Sequence, residues 1–396
     1  MEPRLVILFV AARMAINAAY RMIYPFLRTF ALGMGIPFEV AALPLTGRSL
    51  VGAFGPLLAP VTDRYGRKVG MLLGLGLFCL GVGVVAAWPT FPAFFLALVL
   101  ANLGNQVFLP AMQAFLGDRV PYQRRGRYMA LTEMSWSLSF ILLVPLAGAL
   151  IARLGWAAPF WMLLGLGLVA LVLVAWWVPY DRPSSGARQN AIWHSLGQVI
   201  TNPGALIALA FSLVITLANE MVNLVFGVWM SDTFQIQIAA LGLAATVIGL
   251  AELCGESATA TLVDRMGKKR AVRVGVIVTS LAALALPLLA WNLWSALGGL
   301  FLFYLGFEFT LVSYIPLMTE VLPQARATLM AANLAAFSLG RGLGALLGPW
   351  FYSAGFGANA LAALALNGLA LLLLSRVHIP EEKRAIPADQ PSRSRG

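Results

Sequence analysis

The chain repeats one polar loop sequence at a distance of 201 residues. The run from Asp63 to Lys68 (DRYGRK) separates two long apolar stretches in the first half, and the run from Asp264 to Lys269 (DRMGKK) does the same in the second half. A loop that recurs between apolar stretches at one fixed distance is the mark of a duplicated unit. The sequence therefore predicts a chain built from two similar halves, each with its own set of apolar helices.

Apolar runs long enough to cross a bilayer occupy most of the chain. Hydrophobic residues make up 60% of the sequence and charged residues only 11%, whereas ordinary soluble domains carry about 25% charged residues. A hydrocarbon core of ~30 Å needs about 20 apolar residues. We number twelve predicted membrane helices as spans 1 to 12: about 5–30, 40–62, 69–88, 92–116, 128–152, 157–178, 205–230, 239–262, 272–290, 295–318, 328–351 and 358–377. Many secondary transporters are built from two such halves that rock about a central site.

The net charge of +11 reflects membrane orientation. Most lysines and arginines lie in alternate loops, those on the side of the amino terminus, and the remaining loops hold little more than Arg153 and Arg28. Short cytoplasmic loops are enriched in Lys and Arg. We therefore expect a multi-pass protein of the plasma (inner) membrane with both termini in the cytoplasm, in contact with the lipid bilayer and not with nucleic acid.

The longest polar connection divides the chain near its middle. We expect an N-terminal six-helix bundle over 1–178, a cytoplasmic linker over 179–203, a C-terminal six-helix bundle over 204–378 and a cytoplasmic tail over 379–396. Span 1 is interrupted by Arg13, Asn17 and Arg21 and has no small-residue cleavage site after it. It is therefore expected to remain as a membrane helix and not to be removed as a signal peptide.

The residue types that carry most enzyme chemistry are scarce. The two cysteines, Cys79 and Cys254, fall inside predicted membrane helices, and there are two histidines in all. No Cys/His spacing predicts a metal site, and the glycines lie within apolar runs and not in a nucleotide-binding loop. We expect no metal, no cofactor and no enzymatic activity.

Three motifs carry a resemblance to a known family. The loop from Ala59 to Lys68 resembles the signature of the major facilitator superfamily, and its second-half copy is similar. The segments 118–127, after span 4, and 24–27, in span 1, resemble the bacterial drug and sugar efflux permeases of that superfamily. The resemblance implies an all-α integral membrane fold of twelve helices in two pseudo-symmetric six-helix bundles. It also implies alternating access by a monomer.

The resemblance gives the loop charges a role in conformational gating. It would place Asp63 against the start of span 11 and Asp264 against the start of span 5, where a helix N-terminus favours a carboxylate. Arg67 with Asp118, and Lys268 with Glu320, would brace each half internally. The simpler alternative is that these charges anchor the loops at the lipid headgroups. The predicted gating residues are Asp63, Arg64, Arg67, Asp118, Asp264, Arg265, Lys268 and Glu320.

Polar side chains at membrane depth predict the central site, because each is costly in hydrocarbon unless it faces a cavity or a partner. In span 1 they are three or four residues apart and so share one face. Spans 1, 4, 7 and 10 line the central cavity in the resembling superfamily. The predicted substrate or proton cavity comprises Arg13, Asn17, Tyr20, Arg21, Tyr24, Arg48, Asn102, Asn105, Gln106, Asn219, Glu220, Asn223, Glu308 and Arg341.

Two carboxyl groups are the predicted proton carriers. Glu308 lies 202 residues after Gln106, so one half offers a titratable group where the other offers an amide. The charged form of a carboxyl group is disfavoured in a partly dry cavity, which lets the group bind and release a proton. Glu220 is the second candidate. For Glu133 and Glu256, a role in the site and a role in a buried ion pair that holds helices together are equally consistent with the sequence.

The chain departs from the exporter pattern at two places. Proton-coupled exporters of the superfamily usually carry an arginine in span 4 where this chain has Leu100, and their motif in span 5 retains here only Pro145 and Gly148. The arginines of spans 1 and 2 could replace the missing arginine. Alternatively, they could bind an anionic substrate directly.

Three functional hypotheses remain. The first is proton-coupled export of a small or amphiphilic molecule, of drug or sugar type, by an antiporter. The second is movement of a lipid or glycolipid, for which Trp136, Trp161, Phe226 and Trp229 would line an acyl-chain path. The third is a membrane receptor or scaffold that transports nothing, against which the retained loop motifs of both halves argue.

Overall fold

The computed structural model describes residues 3–55, 66–180 and 196–377, and within these ranges the regular structure is entirely helical. The helices of the first half are Pro3–Arg21 and Ile23–Met34 (span 1), Phe38–Ala53 (span 2), Arg67–Ala87 (span 3), Phe91–Arg119 (span 4), Tyr122–Glu133, Ser135–Leu138, Ser139–Leu143 and Val144–Leu154 (span 5), and Ala158–Trp177 (span 6). Those of the second half are Pro203–Asn223 and Phe226–Phe234 (span 7), Ile238–Met266 (span 8), Lys268–Ala285 (span 9), Leu293–Val321 (span 10), Arg326–Tyr352 (span 11) and Phe356–Arg376 (span 12).

Each predicted span corresponds to a helix or to a broken helix. Among the described residues, ten helices are long and apolar enough to cross a membrane, and span 1 makes eleven when its two bent pieces are counted as one. Span 2 has only the 16 residues Phe38–Ala53 described as helix. The remainder of its predicted length, and most of the linker and all of the tail, lie outside the described residues.

The two halves repeat each other in detail. Spans 4 and 10 have the same length of 29 residues, and both ends are offset by 202. The turns before spans 3 and 9 each use a glycine with positive φ, 94° at Gly66 and 81° at Gly267, a conformation that costs glycine little. The duplication inferred from the loop sequences is therefore present in the helix lengths and the turns.

Span 1 is bent by 55° between Arg21 and Ile23. Pro25 lies just beyond the break, and a proline four residues after Arg21 cannot donate the helical hydrogen bond to its carbonyl group. Span 7 is interrupted at the corresponding place, between Asn223 and Phe226. The two breaks meet, since a Cβ atom on Gly227 would lie 2.5 Å from the carbonyl oxygen of Pro25. The bends therefore bring the two halves into contact.

The halves are closed at one membrane side and separated at the other. We call the side on which spans 1, 3 and 5 begin the linker side, and the other the far side. Spans 5 and 8 touch near the far side, where a Cβ on Gly148 would lie 3.3 Å from the Cα of Gly242. Towards the linker side a cavity separates the same two spans and reaches Ala130 and Ala260. The structure is open towards the linker side.

Small residues allow neighbouring helices to approach closely, as in other helical membrane proteins. Spans 3 and 4 cross at Gly74 and Gly104, where a Cβ on Gly74 would lie 2.6 Å from the carbonyl oxygen of Gly104. Gly76, two residues further along span 3, has no neighbouring atom within 4 Å of its Cβ position. The two glycines differ in packing while sharing one helix.

We expect Gly74→Ala to destabilise the folded chain by about 1–3 kcal/mol, because the added methyl group forces the two backbones apart. Gly76→Ala is the matched control, and we expect it to leave stability unchanged or to raise it by up to about 1 kcal/mol, since alanine favours helix. Thermal unfolding of both variants in detergent tests this. Equal unfolding temperatures would show that the crossing at Gly74 is not tightly packed.

Candidate functional site

A cavity of about 650 Å³ lies between the two halves, within the range of about 300–1,000 Å³ usual for small-molecule sites. We call it the main cavity. The first half contributes Tyr20, Arg21, Tyr24, Ala130, Glu133, Met134, Trp136 and Phe140 to its lining, and the second half contributes Asn219, Asn223, Glu252, Leu253, Glu256, Ser257, Ala260, Tyr304, Phe307, Glu308, Leu311, Val312, Ile315 and Arg341. Both bundles therefore contact whatever occupies it.

One buried ion pair joins the halves at the wall of this cavity. Arg21 Nη2 lies 2.6 Å from Glu252 Oε1, and both side chains are more than nine-tenths buried. Arg21 also donates to the carbonyl oxygen of Trp136 at 3.2 Å, and its guanidinium group lies 3.6 Å from the ring centre of Phe140. The positive charge of Arg21 is therefore neutralised by the opposite half, not available to a substrate.

Arg13 is engaged within the first half. Its two terminal nitrogens donate to both carboxylate oxygens of Glu133 at 2.7 and 2.9 Å, and Gln113 donates to the same carboxylate at 3.2 Å. Asn17, one turn further along span 1, donates to Ser135 Oγ at 3.2 Å. These contacts hold span 1 against span 5, and Arg13 does not line the main cavity.

Glu308 occupies a different environment. It is 7% exposed and lines the main cavity, and no side chain among the described residues donates a hydrogen bond to its carboxylate. Its electrostatic neighbours include two further carboxylates, Glu252 and Glu256, and the guanidinium group of Arg21. The hydroxyl group of Ser137 lies 3.5 Å from Glu256. Three carboxylates thus share this part of the cavity with two cations, Arg21 and Arg341, of which Arg21 is paired with Glu252.

Glu220 is held in a polar network behind the cavity wall. It is 1% exposed and accepts a hydrogen bond of 3.1 Å from Asn223, which in turn accepts one of 2.7 Å from the hydroxyl group of Tyr304. Among the cations, Arg341 interacts with it most strongly. Span 11 approaches at Gly344, where a Cβ would lie 2.4 Å from that of Glu220. Glu220 therefore does not line the main cavity itself, but it is hydrogen-bonded to Asn223, which does.

A second, smaller cavity of about 130 Å³ adjoins the first, and we call it the amide chamber. Its polar lining residues are Asn17, Tyr20, Arg48, Ser49, Asn102, Asn105, Gln106, Ser338 and Arg341, with Trp136 among the apolar ones. Tyr20, Trp136 and Arg341 also line the main cavity. The two cavities therefore share a wall.

Two arginines flank Tyr20 in that wall. The guanidinium carbon of Arg48 lies 3.5 Å from the ring centre of Tyr20, and Arg48 donates to Tyr24 Oη at 3.0 Å. Arg341 donates to Tyr20 Oη at 3.2 Å. Span 4 holds the backbone of span 2 in place through Asn102, which donates to the carbonyl oxygen of Arg48 at 2.7 Å.

The polar residues predicted to form a single cavity thus divide into three groups. Tyr20, Arg21, Tyr24, Asn219, Asn223, Glu308 and Arg341 line the main cavity, while Asn17, Arg48, Asn102, Asn105 and Gln106 line the amide chamber, together with the shared Tyr20 and Arg341. Arg13 and Glu220 line neither. Regular spacing along a helix predicts one polar face, but it does not show which helix that face meets.

The predicted gating residues are only partly in contact. Arg67 lies 3.6 Å from Asp118 and Lys268 is paired with Glu320, as the bracing of each half requires. Asp264 and Arg265 are exposed, and no ion pair joins Asp264 to the described part of span 5. Asp63 and Arg64 lie outside the described residues.

The contact that closes the far side was not predicted. Arg28 near the end of span 1 pairs with Asp232 near the end of span 7, and Tyr352 at the end of span 11 donates to Asp232 at 3.1 Å. We call these three residues the far-side lock. The sequence did contain a signal for this contact. Arg28 and Asp232 carry opposite charges and are 204 residues apart, so they stand at nearly equivalent positions of the two repeated halves.

Known proteins resemble this chain along its whole length. The family profile described as Major Facilitator Superfamily matches residues 8–218 and again 208–395. The uncharacterized MFS-type transporter YwfA of Bacillus subtilis (strain 168) is 26% identical over 357 residues, covering 89% of this chain and 86% of that protein. The probable 4-methylmuconolactone transporter of Cupriavidus pinatubonensis is 25% identical, covering 87% of this chain and 86% of that protein.

Solved structures show the same fold. A crystal structure of a D-xylose-proton symporter superposes with a TM-score of 0.78 at 16% identity, covering 96% of this chain and 98% of that one. A POT family transporter in complex with 5-aminolevulinic acid superposes with a TM-score of 0.76 at 13% identity. Family profile, relatives and fold agree with the duplicated helices and the cavity between them, and the chain belongs to the Major Facilitator Superfamily.

Proposed function

We propose that the chain exports a small or amphiphilic molecule in exchange for protons, with the main cavity as the substrate site and Glu308 as the proton carrier. One observation carries the proposal. Glu308 is a buried carboxyl group that faces a cavity lined by both halves and receives no hydrogen bond from a described side chain. Groups that are already paired, such as Arg13 and Arg21, cannot exchange partners during transport as easily.

Charge balance gives Glu308 a reason to bind a proton. Glu252, Glu256 and Glu308 interact electrostatically, and Arg21 compensates only one of them closely. An uncompensated carboxylate inside a membrane protein is costly, and intramembrane acids commonly serve as proton relays. Protonation of Glu308 removes one negative charge from the cavity. Loss of that proton restores the charge when the cavity opens to a side of higher pH.

The orientation of the open side defines the first step of the proposed export. The positively charged loops favour a cytoplasmic linker side, in the inner membrane, with the linker and the tail on that side. The structure then corresponds to a state that receives a molecule from the cytoplasm. Alternating access would close the linker side and open the far-side lock, releasing the molecule outside.

The lipid-transport alternative has weaker support. Of the four aromatic residues expected to line an acyl-chain path, only Trp136 lines the main cavity. Trp161 is 57% exposed on the outer surface, and Trp229 is stacked on Phe356 with ring centres 4.3 Å apart. Phe226 is fully buried in the core. Three of the four aromatic residues on which the lipid hypothesis is based therefore lie outside the main cavity.

We expect Glu308→Gln to remove the dependence of transport on a pH gradient, because an amide cannot carry a proton. Proteoliposomes containing the full chain would be screened with drugs, sugars and lysolipids, and any transported compound would be assayed with and without a gradient. Glu39→Gln is the matched control, since Glu39 is exposed at the start of span 2. Gradient-driven transport that persists in Glu308→Gln would eliminate Glu308 as the carrier.

We expect Asp232→Asn to open the far side more often. The pair with Arg28 is partly exposed, and such pairs contribute about 0.2–1 kcal/mol, which shifts a balanced equilibrium severalfold. Leu32 and Leu243 are both exposed near the far side. Spin labels attached after Leu32→Cys and Leu243→Cys, in a chain whose two native cysteines have been replaced, would report the separation of the halves by double electron–electron resonance.

Arg153→Gln serves as the control for this change. Arg153 is exposed at the far-side end of span 5 and takes no part in the far-side lock, so its removal changes the same kind of charge without breaking the contact. We expect its distance distribution to match that of the parent chain. Identical distributions for Asp232→Asn and the parent would mean that the lock does not hold the far side closed.

A further inference from the structure

Two arginines of the central region, Arg48 and Arg341, form no ion pair within 4 Å among the described residues, and Arg48 is the more deeply buried of the two. Arg13 is paired with Glu133 and Arg21 with Glu252, in both cases at hydrogen-bonding distance. Arg48 is 2% exposed and takes part in no ion pair within 4 Å among the described residues. A buried charge without a counter-ion is strongly unfavourable. The position of Arg48 therefore requires compensation from something else.

The neighbours of Arg48 are neutral. Its two terminal nitrogens donate to the carbonyl oxygen of Tyr20 at 3.3 Å and to the hydroxyl group of Tyr24 at 3.0 Å, and its Nε is buried with no partner. The carboxylate of Glu220 interacts with both arginines, more strongly with Arg341 than with Arg48. Neither guanidinium group thus has a carboxylate oxygen within 4 Å among the described residues, and the polar contacts they make are to tyrosine hydroxyl groups and a backbone carbonyl.

The positive charge of both arginines borders the amide chamber. Arg48 and Arg341 both line the chamber, with Asn17, Asn105 and Gln106. No carboxylate is among the described residues that line it, whereas the main cavity holds four. A volume of about 130 Å³ admits a group of a few heavy atoms. Guanidinium groups bind carboxylates through short charge-assisted hydrogen bonds, which are often bidentate.

We propose that the amide chamber is a subsite for a monovalent anionic group, the carboxylate of the transported molecule, bound between Arg48 and Arg341. The inference deepens the proposed function and rests on it. The rest of the molecule would extend past Tyr20 and Trp136 into the main cavity. The acidic cluster around Glu308 repels a carboxylate and the arginines attract it, so the two cavities would orient such a molecule. The substrate class is then small organic acids with an apolar or aromatic body.

Equilibrium binding tests the subsite without any gradient, so its failure is distinguishable from a failure of proton coupling. The full chain in nanodiscs would be titrated at uniform pH with radiolabelled benzoate and, separately, with radiolabelled chloride. Unlabelled formate, acetate and benzamide would serve as competitors. We expect formate and acetate to displace benzoate, and neutral benzamide to displace it at least tenfold more weakly.

The variants distinguish the loss of the positive charge of Arg48 from misfolding of the chain. We expect Arg48→Gln to weaken benzoate binding about tenfold or more, since a hydrogen bond to a charged group contributes about 1.5–3 kcal/mol and 1.4 kcal/mol is a factor of ten. Arg48→Lys keeps the charge and should retain part of the affinity, which excludes misfolding as the cause. Arg153→Gln, at an exposed site, should bind like the parent.

Each of the remaining outcomes would contradict part or all of the proposed subsite. Chloride binding that depends on Arg48 and is not displaced by any carboxylate would keep the anion site but overturn its assignment to the substrate. Benzoate binding of equal strength in the parent and in Arg48→Gln would overturn the subsite itself. Absence of binding by benzoate, formate, acetate and chloride alike would do the same.

Discussion

The cost of an uncompensated charge in a membrane governs how the core of this protein is arranged. Arg21 of the first half is compensated by Glu252 of the second, at 2.6 Å, so this contact depends on the two bundles lying together. Removing one partner of a buried pair leaves the other charge uncompensated and typically costs about 3–5 kcal/mol. A rocking motion about the centre must therefore keep the pair intact or replace it with another partner, and the carboxylates beside it limit which partners are possible.

Much of the fold follows from the sequence, because the forces that set it act along the chain. Apolar length predicts each span, and the repeated loops predict the two halves. The bend of span 1 follows from Pro25. The pairing of charges does not follow, because it depends on which helix faces which. Arg13 and Arg21 lie on one predicted face of span 1, yet Arg13 pairs within its own half and Arg21 across the interface.

The division of the site into two cavities also depends on tertiary packing. Tyr20 is flanked by Arg48 and Arg341, which come from spans 2 and 11 in different halves. Their approach to one tyrosine separates the amide chamber from the main cavity. The sequence predicts that these three polar residues lie at membrane depth. It does not predict the distances between them, because those depend on how helices far apart in the chain pack together.

Duplication followed by divergence explains why the two cavities differ in charge. Spans 4 and 10 are equivalent over 29 residues each, so Gln106 corresponds to Glu308 and Asn102 to Tyr304. In the first half these positions carry amides that line a chamber beside two arginines. In the second half they carry a carboxyl group and a phenol that line the larger, acidic cavity. Equivalent helices of the two halves thus line one cavity with carboxyl groups and another with amides beside arginines. A molecule that occupied both cavities would meet negative charge at one end and positive charge at the other.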